Sequence, residues 1–383
     1  MTGSPLAWSS LVTQPEGHEL GVYVHVPFCR RRCAYCAFAT YTDRDHLMQR
    51  YVEACRAEIA AACRSGALVA ASSVFFGGGT PSRLPAAALV RILEEIPRRA
   101  GAEVTVECNP DDVDPARLAA YRAAGVTRIS LGVQSMVPHV LRSLGREHDV
   151  DAVRRAAGWV RDAGFETYNV DLIFGAAGET HDDWVRSLEE VLSLSAPPPH
   201  VSAYALTIEP GTPLAADVAR HPDDDVQAER YEVADRMLSS AGYRWEEVSN
   251  WSLAGHECRH NQLYWRQGDY FGFGSAAHSH RQGTRWWNVR TPDRYVRAVE
   301  HRASPVAGSE VLDPGRRAFE RLALALRTPS GVPDEALGDD PSLRGLVRRA
   351  GGRAVLTVHG RLLANAVTAY LRVGEDAAGI LPG

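Results

Sequence analysis

The chain has 383 residues, of which 45% are hydrophobic and 23% charged, and a net charge of −5. That length suits one large globular domain plus a small one, and an acidic balance with no long basic run argues against nucleic acid as a partner. The first twenty residues lack the pattern of a signal peptide, no stretch is apolar enough to span a bilayer, and seven cysteines with three crowded into eight positions make no disulfide framework, so a reducing cytoplasm is expected.

Residues 1–20 read as a polar lead-in. From Gly21 short β-rich runs alternate with Ala/Leu/Arg-rich helical stretches. The expected strands are Gly21–Val26, Ser73–Phe76, Glu103–Glu107, Arg128–Leu131, Thr167–Ile173 and Val201–Leu206. Helices such as Arg44–Cys63, Leu84–Arg98, Asp149–Ala163 and His181–Ser193 lie between them. Six strands separated by helices predict parallel βαβ units in an α/β fold, a partial (β/α)6 barrel over residues 21–255. Ligands of such folds sit at the C-terminal ends of the strands. Residues 256–303 read as a connecting region, rich in Gly, His and aromatics and built of loop and edge structure. Residues 304–383 predict helices near Pro314–Leu326 and Ser342–Ala350, a hairpin in Val355–Leu363 turning at His359-Gly360, and a last helix over Ala364–Leu371. That order suggests a small winged-helix-like α+β domain.

The chemistry concentrates in Tyr23-Val-His-Val-Pro-Phe-Cys29-Arg-Arg-Arg-Cys33-Ala-Tyr-Cys36, directly after the first strand. In a cubane cluster each iron takes one thiolate, so three cysteines leave the fourth iron open to a ligand. Arg30, Arg31 and Arg32 could offset the negative charge. Two plainer readings stand beside this one: incidental cysteines, or a zinc site, which would usually want a second ligand pair at fixed spacing. Cys55 and Cys63 read as packing residues on a helix, and Cys108 and Cys258 are isolated.

Further polar residues fall where strands end. Gly77–Gly79 with Thr80 and Pro81 offers backbone that a ligand can approach closely. Glu107 could accept hydrogen bonds from an ammonium or ribose hydroxyls, Gln134 could both donate and accept, and Arg146 could fork onto a carboxylate. Asp171 sits in an otherwise apolar strand, where an ionised group is costly unless paired. Singly each could be a cap, a packed amide, a surface Arg or a paired strand acid; their recurrence at successive strand ends favours a site.

With these motifs the chain resembles the radical S-adenosylmethionine (SAM) superfamily and, over nearly its whole length, the HemN/HemW family. The resemblance rests on the cysteine segment and on Phe-Gly-Gly-Gly-Thr-Pro at 76–81, Val-Glu-Cys-Asn-Pro at 106–110, Ser-Leu-Gly-Val-Gln-Ser at 130–135, Asn-Val-Asp-Leu-Ile-Phe-Gly at 169–175, Leu-Thr-Ile-Glu-Pro-Gly-Thr-Pro-Leu at 206–214 and Arg-His-Asn-Gln-Leu-Tyr-Trp at 259–265. It implies a [4Fe–4S] cluster on Cys29, Cys33 and Cys36. It also implies SAM contacts at Tyr23, Tyr35, Gly78, Gly79, Thr80, Glu107, Gln134, Arg146, Asp171 and Ala205, with Gln134, Arg146, Asp171 and Ala205 matching places that serve a second SAM in the dehydrogenase (HemN) branch.

Two departures favour the heme-chaperone (HemW) branch. Phe38 stands where the dehydrogenase has a further cysteine, and only 22 residues precede Tyr23. On that branch the resemblance implies a protein that delivers heme to apo-proteins such as respiratory cytochromes, from the cytoplasm or the inner face of the membrane, and leaves room for a homodimer. His260 of the His260-Asn-Gln-Leu-Tyr-Trp265 motif is then the expected axial heme ligand. His256, His278 and His280 read better as loop or core histidines. The alternative is oxygen-independent coproporphyrinogen III dehydrogenation.

Overall fold

A computed structural model describes residues 19–373. Most of the expected lead-in and the last ten residues lie outside that range. The six expected strands form as β1 (Leu20–Val26), β2 (Ala71–Gly78), β3 (Arg98–Cys108), β4 (Arg128–Gln134), β5 (Thr167–Phe174) and β6 (His200–Ala205). They are parallel and adjacent in chain order, as βαβ units dictate. Between them run α1 (Met48–Arg64), α2 (Ala86–Glu94), α3 (Pro115–Ala123), α4 (Pro138–Ser143), α5 (Val150–Asp162) and α6 (His181–Leu192). Local chemistry sets several starts. Asp149 caps α5 by accepting from the Ala152 N–H, and Thr180 and Asp183 form a capping box on α6. Helix α2 ends earlier than expected, because Arg98 already belongs to β3 and pairs with Ala71.

The sheet does not stop at six strands. After α7 (Pro213–Ala216) and α8 (Asp224–Ser240) come β7 (Arg244–Glu247) and β8 (Asn250–Ser252), which extend it antiparallel beyond β6. Residues 256–303, expected to be loop and edge structure, carry α9 (Arg259–Trp265), β9 (Asp269–Phe273), β10 (His278–Arg281), β11 (Thr284–Asn288) and α10 (Pro292–Glu300). Strand β9 pairs parallel with β1, and β10, β11 and β12 (Val306–Val311) continue outward antiparallel. The result is an open twelve-stranded sheet. Its parallel strands are buried on both faces, with Val22, Val24, Val74, Val104, Val170 and Val201 in the main core.

The C-terminal part has its own core around Leu326, Val332, Leu356 and Val367. It comprises α11 (Pro314–Ala325), β13 (Val332–Pro333), β14 (Val347–Ala350), β15 (Arg353–Leu356), α12 (Val358–Leu362) and α13 (Ala364–Thr368), with the strands ordered β13-β15-β14. The hairpin exists but lies earlier in the chain than expected. It turns at Gly351-Gly352, whose φ angles of 59° and 73° suit a two-residue hairpin turn. Most of Ser342–Ala350 is therefore turn and strand rather than helix, and Val358–Leu362 is helix rather than strand. Gly360 is no turn residue: a Cβ there would come within 1.9 Å of the Leu346 carbonyl oxygen. Arg361 holds this unit to the barrel by stacking 3.8 Å from the Trp245 ring centroid and pairing with Asp235 at 2.6 Å. Among the described residues no helix is long and apolar enough to cross a membrane.

Candidate functional site

The loop after β1 closes on itself. Cys29 N–H donates to the Tyr41 carbonyl, Tyr41 N–H returns to Pro27, and the Cys36 N–H closes a turn onto Cys33. Arg32 donates to the Cys36 carbonyl, while Arg30 reaches across to Asp112 at 3.1 Å. His25 anchors the loop from inside the barrel: one ring nitrogen meets the Tyr23 hydroxyl at 3.1 Å and the other the Ala39 carbonyl at 3.0 Å. Burial pushes its pKa down to about 4, so the ring is neutral at pH 7.

Cys29, Cys33 and Cys36 open onto one cavity of about 450 Å³ at the C-terminal ends of the strands. No three His, Cys, Asp or Glu side chains among the described residues gather closely enough to hold a single metal ion. The three sulfurs border one shared space, as a cubane with one thiolate per iron would require. Burial and its two neighbouring cysteines push the Cys29 thiol up to about 11, while a hydrogen bond of 3.4 Å from Thr80 opposes this. Bound iron would hold the group as thiolate.

The same cavity is lined by Tyr35, Gly78, Gly79, Thr80, Glu107, Gln134, Arg146, Asp171 and Ala205. The glycines are required for a reason the sequence did not disclose. A Cβ on Gly79 would lie 2.8 Å from the Val26 carbonyl oxygen, and one on Gly78 would strike the His25 ring. Missing side chains here let β2 press against the base of the cysteine loop. Gln134 sits at a register shift between β4 and β5 with φ at 68°, an irregularity that turns its amide into the cavity. Its Oε1 is buried without a partner, as is Arg146 Nε. Such atoms fit a polar ligand. Arg146 itself reaches Asn109 at 2.6 Å, the Gly132 carbonyl at 3.1 Å and Cys33 Sγ at 3.8 Å. Asp171 is held by Asn169 at 2.8 Å and Ser130 at 3.2 Å, which meets the cost of an acid in this strand. Tyr204, 40% exposed, adds an aromatic wall. Its inward position follows from strand alternation, a signal that could have identified it, whereas Asn109 and His25 had none beyond their motifs.

Two further expected site residues are Tyr23 and His260. Tyr23 lies beside Glu107, stacks on Phe75 and reaches the cysteine loop through His25. His260 is 0% exposed and lies at the opposite, N-terminal end of the barrel strands, beside Ser73 near the start of β2. Its Nδ1 lies 2.9 Å from Ser73 Oγ and its Nε2 2.9 Å from the Tyr264 hydroxyl. The α9 segment plugs the barrel: Glu103 of β3 accepts from the N–H groups of Arg259 and His260, and Gly21 leaves room for Leu263 and the imidazole. Both ring nitrogens of His260 are thus engaged within a closed core.

A run of parallel βαβ units carrying a C-x3-C-x2-C loop at its C-terminal edge defines a radical SAM protein, and a model of the radical SAM superfamily matches residues 23–191. A protein named heme chaperone HemW from Mycobacterium tuberculosis is 42% identical over 96% of this chain and 98% of its own length. Its namesake from Escherichia coli is 36% identical over 68% and 69%. The mouse protein named radical S-adenosyl methionine domain-containing protein 1, mitochondrial, is 36% identical over 81% and 74%. This chain belongs to the HemW family. Its fold matches that of the Escherichia coli radical SAM enzyme coproporphyrinogen III oxidase, HemN, with a TM-score of 0.84 over 96% of this chain and 93% of that one, at 23% identity.

Proposed function

We propose that the protein is a heme chaperone that carries a [4Fe–4S] cluster on Cys29, Cys33 and Cys36, binds SAM in the adjoining cavity, and delivers heme to apo-proteins such as respiratory cytochromes. The observation that carries this reading is the near end-to-end match to relatives named heme chaperone HemW. Phe38, 69% exposed, supports it by standing where the dehydrogenase motif has another cysteine. When bound, the cluster would supply an open iron for SAM and a source of one electron. The chain's own part is to hold and orient. Glu107 and Asp171 present acceptors, Gln134 a free carbonyl oxygen, and Arg146 a cation beside Cys33. The recipients implied are membrane-bound, which would bring a cytoplasmic protein to the inner face of the membrane.

The test is anaerobic reconstitution followed by heme loading and transfer to an apo-cytochrome. Stoichiometric heme binding and transfer are expected, without conversion of coproporphyrinogen III. Sustained decarboxylation of coproporphyrinogen III would replace this reading with the dehydrogenase one.

A second expected result concerns Glu107. Burial and the neighbouring Asp171 carboxylate push its pKa up to about 8 from an ordinary 4.5, opposed by the Gly78 N–H. The folded state then binds more protons than the unfolded one between those values, so this group costs stability increasingly as pH rises through that window. Glu107→Gln should melt above the wild type at pH 8, with the difference shrinking toward pH 4. The same variant should bind SAM about tenfold more weakly above pH 8, where the wild-type carboxyl is ionised and is a charged acceptor, with the difference shrinking at lower pH. A melting difference independent of pH would refute the assignment of strain to this carboxyl.

A further inference from the structure

A second cavity, of about 900 Å³, lies between the β10–β11 hairpin and α10, outside the cysteine site. Small-molecule sites run roughly 300–1,000 Å³. Its walls carry His278, Trp287, Arg290, Arg294, Arg297 and His301, and no acidic residue. The His278 imidazole is exposed and stacks on the Trp287 indole, 5.8 Å between centroids and 25° between planes. Neither of its ring nitrogens has a hydrogen-bond partner among the described residues. Gly308 of β12 lets that strand run flat against the indole, since a Cβ there would come within 2.6 Å of it.

Arg294 and Arg297 are three apart on α10 and share a face. Both are exposed and, like Arg290, form no ion pair among the described residues. The acids of the same helix are engaged elsewhere, Asp293 with Arg44 and Glu300 with Arg50. A concentration of uncompensated guanidinium groups suits carboxylates. The indole fixes the orientation of the imidazole stacked on it, and an imidazole free at both nitrogens suits a metal.

We propose that this groove is the heme site, with Arg294 and Arg297 taking the propionates and His278 ligating the iron, the stacked Trp287 indole holding the imidazole in place. The proposal rests on the heme-chaperone reading and gives it a place. The groove adjoins the cysteine loop: Arg290 donates to the Ala37 carbonyl at 3.4 Å, and Ala37 lines the cluster cavity. Heme would thus sit beside the cluster loop, at the end of the barrel away from His260.

The experiment titrates the anaerobically reconstituted full chain with ferric heme and follows the Soret band, with ATP as a control anion. Arg294→Glu with Arg297→Glu should weaken heme binding about tenfold or more while leaving melting temperature and iron content unchanged. His278→Ala should shift the Soret band, and His260→Ala should not. If the double Glu variant fails to fold, the double Gln variant is read instead, with the same direction expected. Wild-type heme affinity and spectrum in the folded Arg and His278 variants would overturn this site and leave the chaperone reading intact. Failure of the wild type to bind heme would overturn both. Equal loss of heme and ATP binding in the Arg variant would make the groove a general anion patch and also overturn the assignment.

Discussion

Serine at Cys29, Cys33 or Cys36 is expected to strip the anaerobically reconstituted protein of nearly all its iron, sulfide and visible absorption. In the proposed cluster each thiolate would be the sole protein ligand to one iron, and a serine hydroxyl, with its far higher pKa, is a poor replacement. The fold should survive. The three residues are only partly buried, on a loop whose shape depends on backbone bonds between Cys29 and Tyr41, Tyr41 and Pro27, and Cys36 and Cys33. Serine preserves those bonds, and at position 29 it can still meet Thr80. Loss of cluster with an unchanged melting transition of the metal-free protein would therefore report ligation rather than unfolding. Cys63→Ser is the matched control: Cys63 lies on α1, far from the cavity lining, and should keep a full cluster. Wild-type iron and sulfide in all three loop variants would remove the ligand assignment, and the orientation of the SAM cavity would lose its basis.

Much of this architecture was legible because strand signals and site signals coincide. The Val-rich runs at 22–26, 104–106 and 170–173 could only be buried parallel strands, and each ends on a residue of different chemistry. Parallel pairing then brings those ends to one edge, so Gly78, Glu107, Gln134, Asp171 and Ala205 meet in one cavity with the cysteines. What was not legible depends on partners distant in sequence. Nothing around Gly79 announces that two carbonyls of the preceding loop press on it. Nothing local shows that Gln134 adopts a positive φ, a conformation that a non-glycine residue seldom takes. Strand β14, Val-Arg-Arg-Ala, is charged enough to read as helix, and only the Gly351-Gly352 turn fixes it as half of a hairpin. The sharpest difference is at α9. A short polar helix gives no hint of which side it buries, because the pocket that receives it is assembled from Gly21, Ser73 and Glu103, on three separate strands.

That assembly makes His260→Ala the second large effect, on stability rather than heme ligation. The imidazole fills space beneath Gly21, stacks on Phe75 with centroids 5.3 Å apart, and satisfies both Ser73 and Tyr264. Alanine would leave a cavity and two unpaired buried hydroxyls, a loss of about 2–5 kcal/mol. For a chain of this size each kcal/mol lowers the melting temperature by about 1–2 °C, so a drop of several degrees is expected. The effect has a definite pH dependence. Burial lowers the His260 pKa to about 3 from 6.5. Above 6.5 the full contribution is present; as pH falls from there toward 3, the unfolded chain takes up a proton that the folded chain refuses, and the contribution declines. The wild type and His260→Ala should thus differ most near pH 7–8 and converge in acid. His260→Gln, which can keep one of the two hydrogen bonds, should recover part of the loss. If instead His260→Ala melts like the wild type at every pH and loses its heme spectrum, the plug is not what holds this motif in place, and the imidazole must leave the core to meet iron.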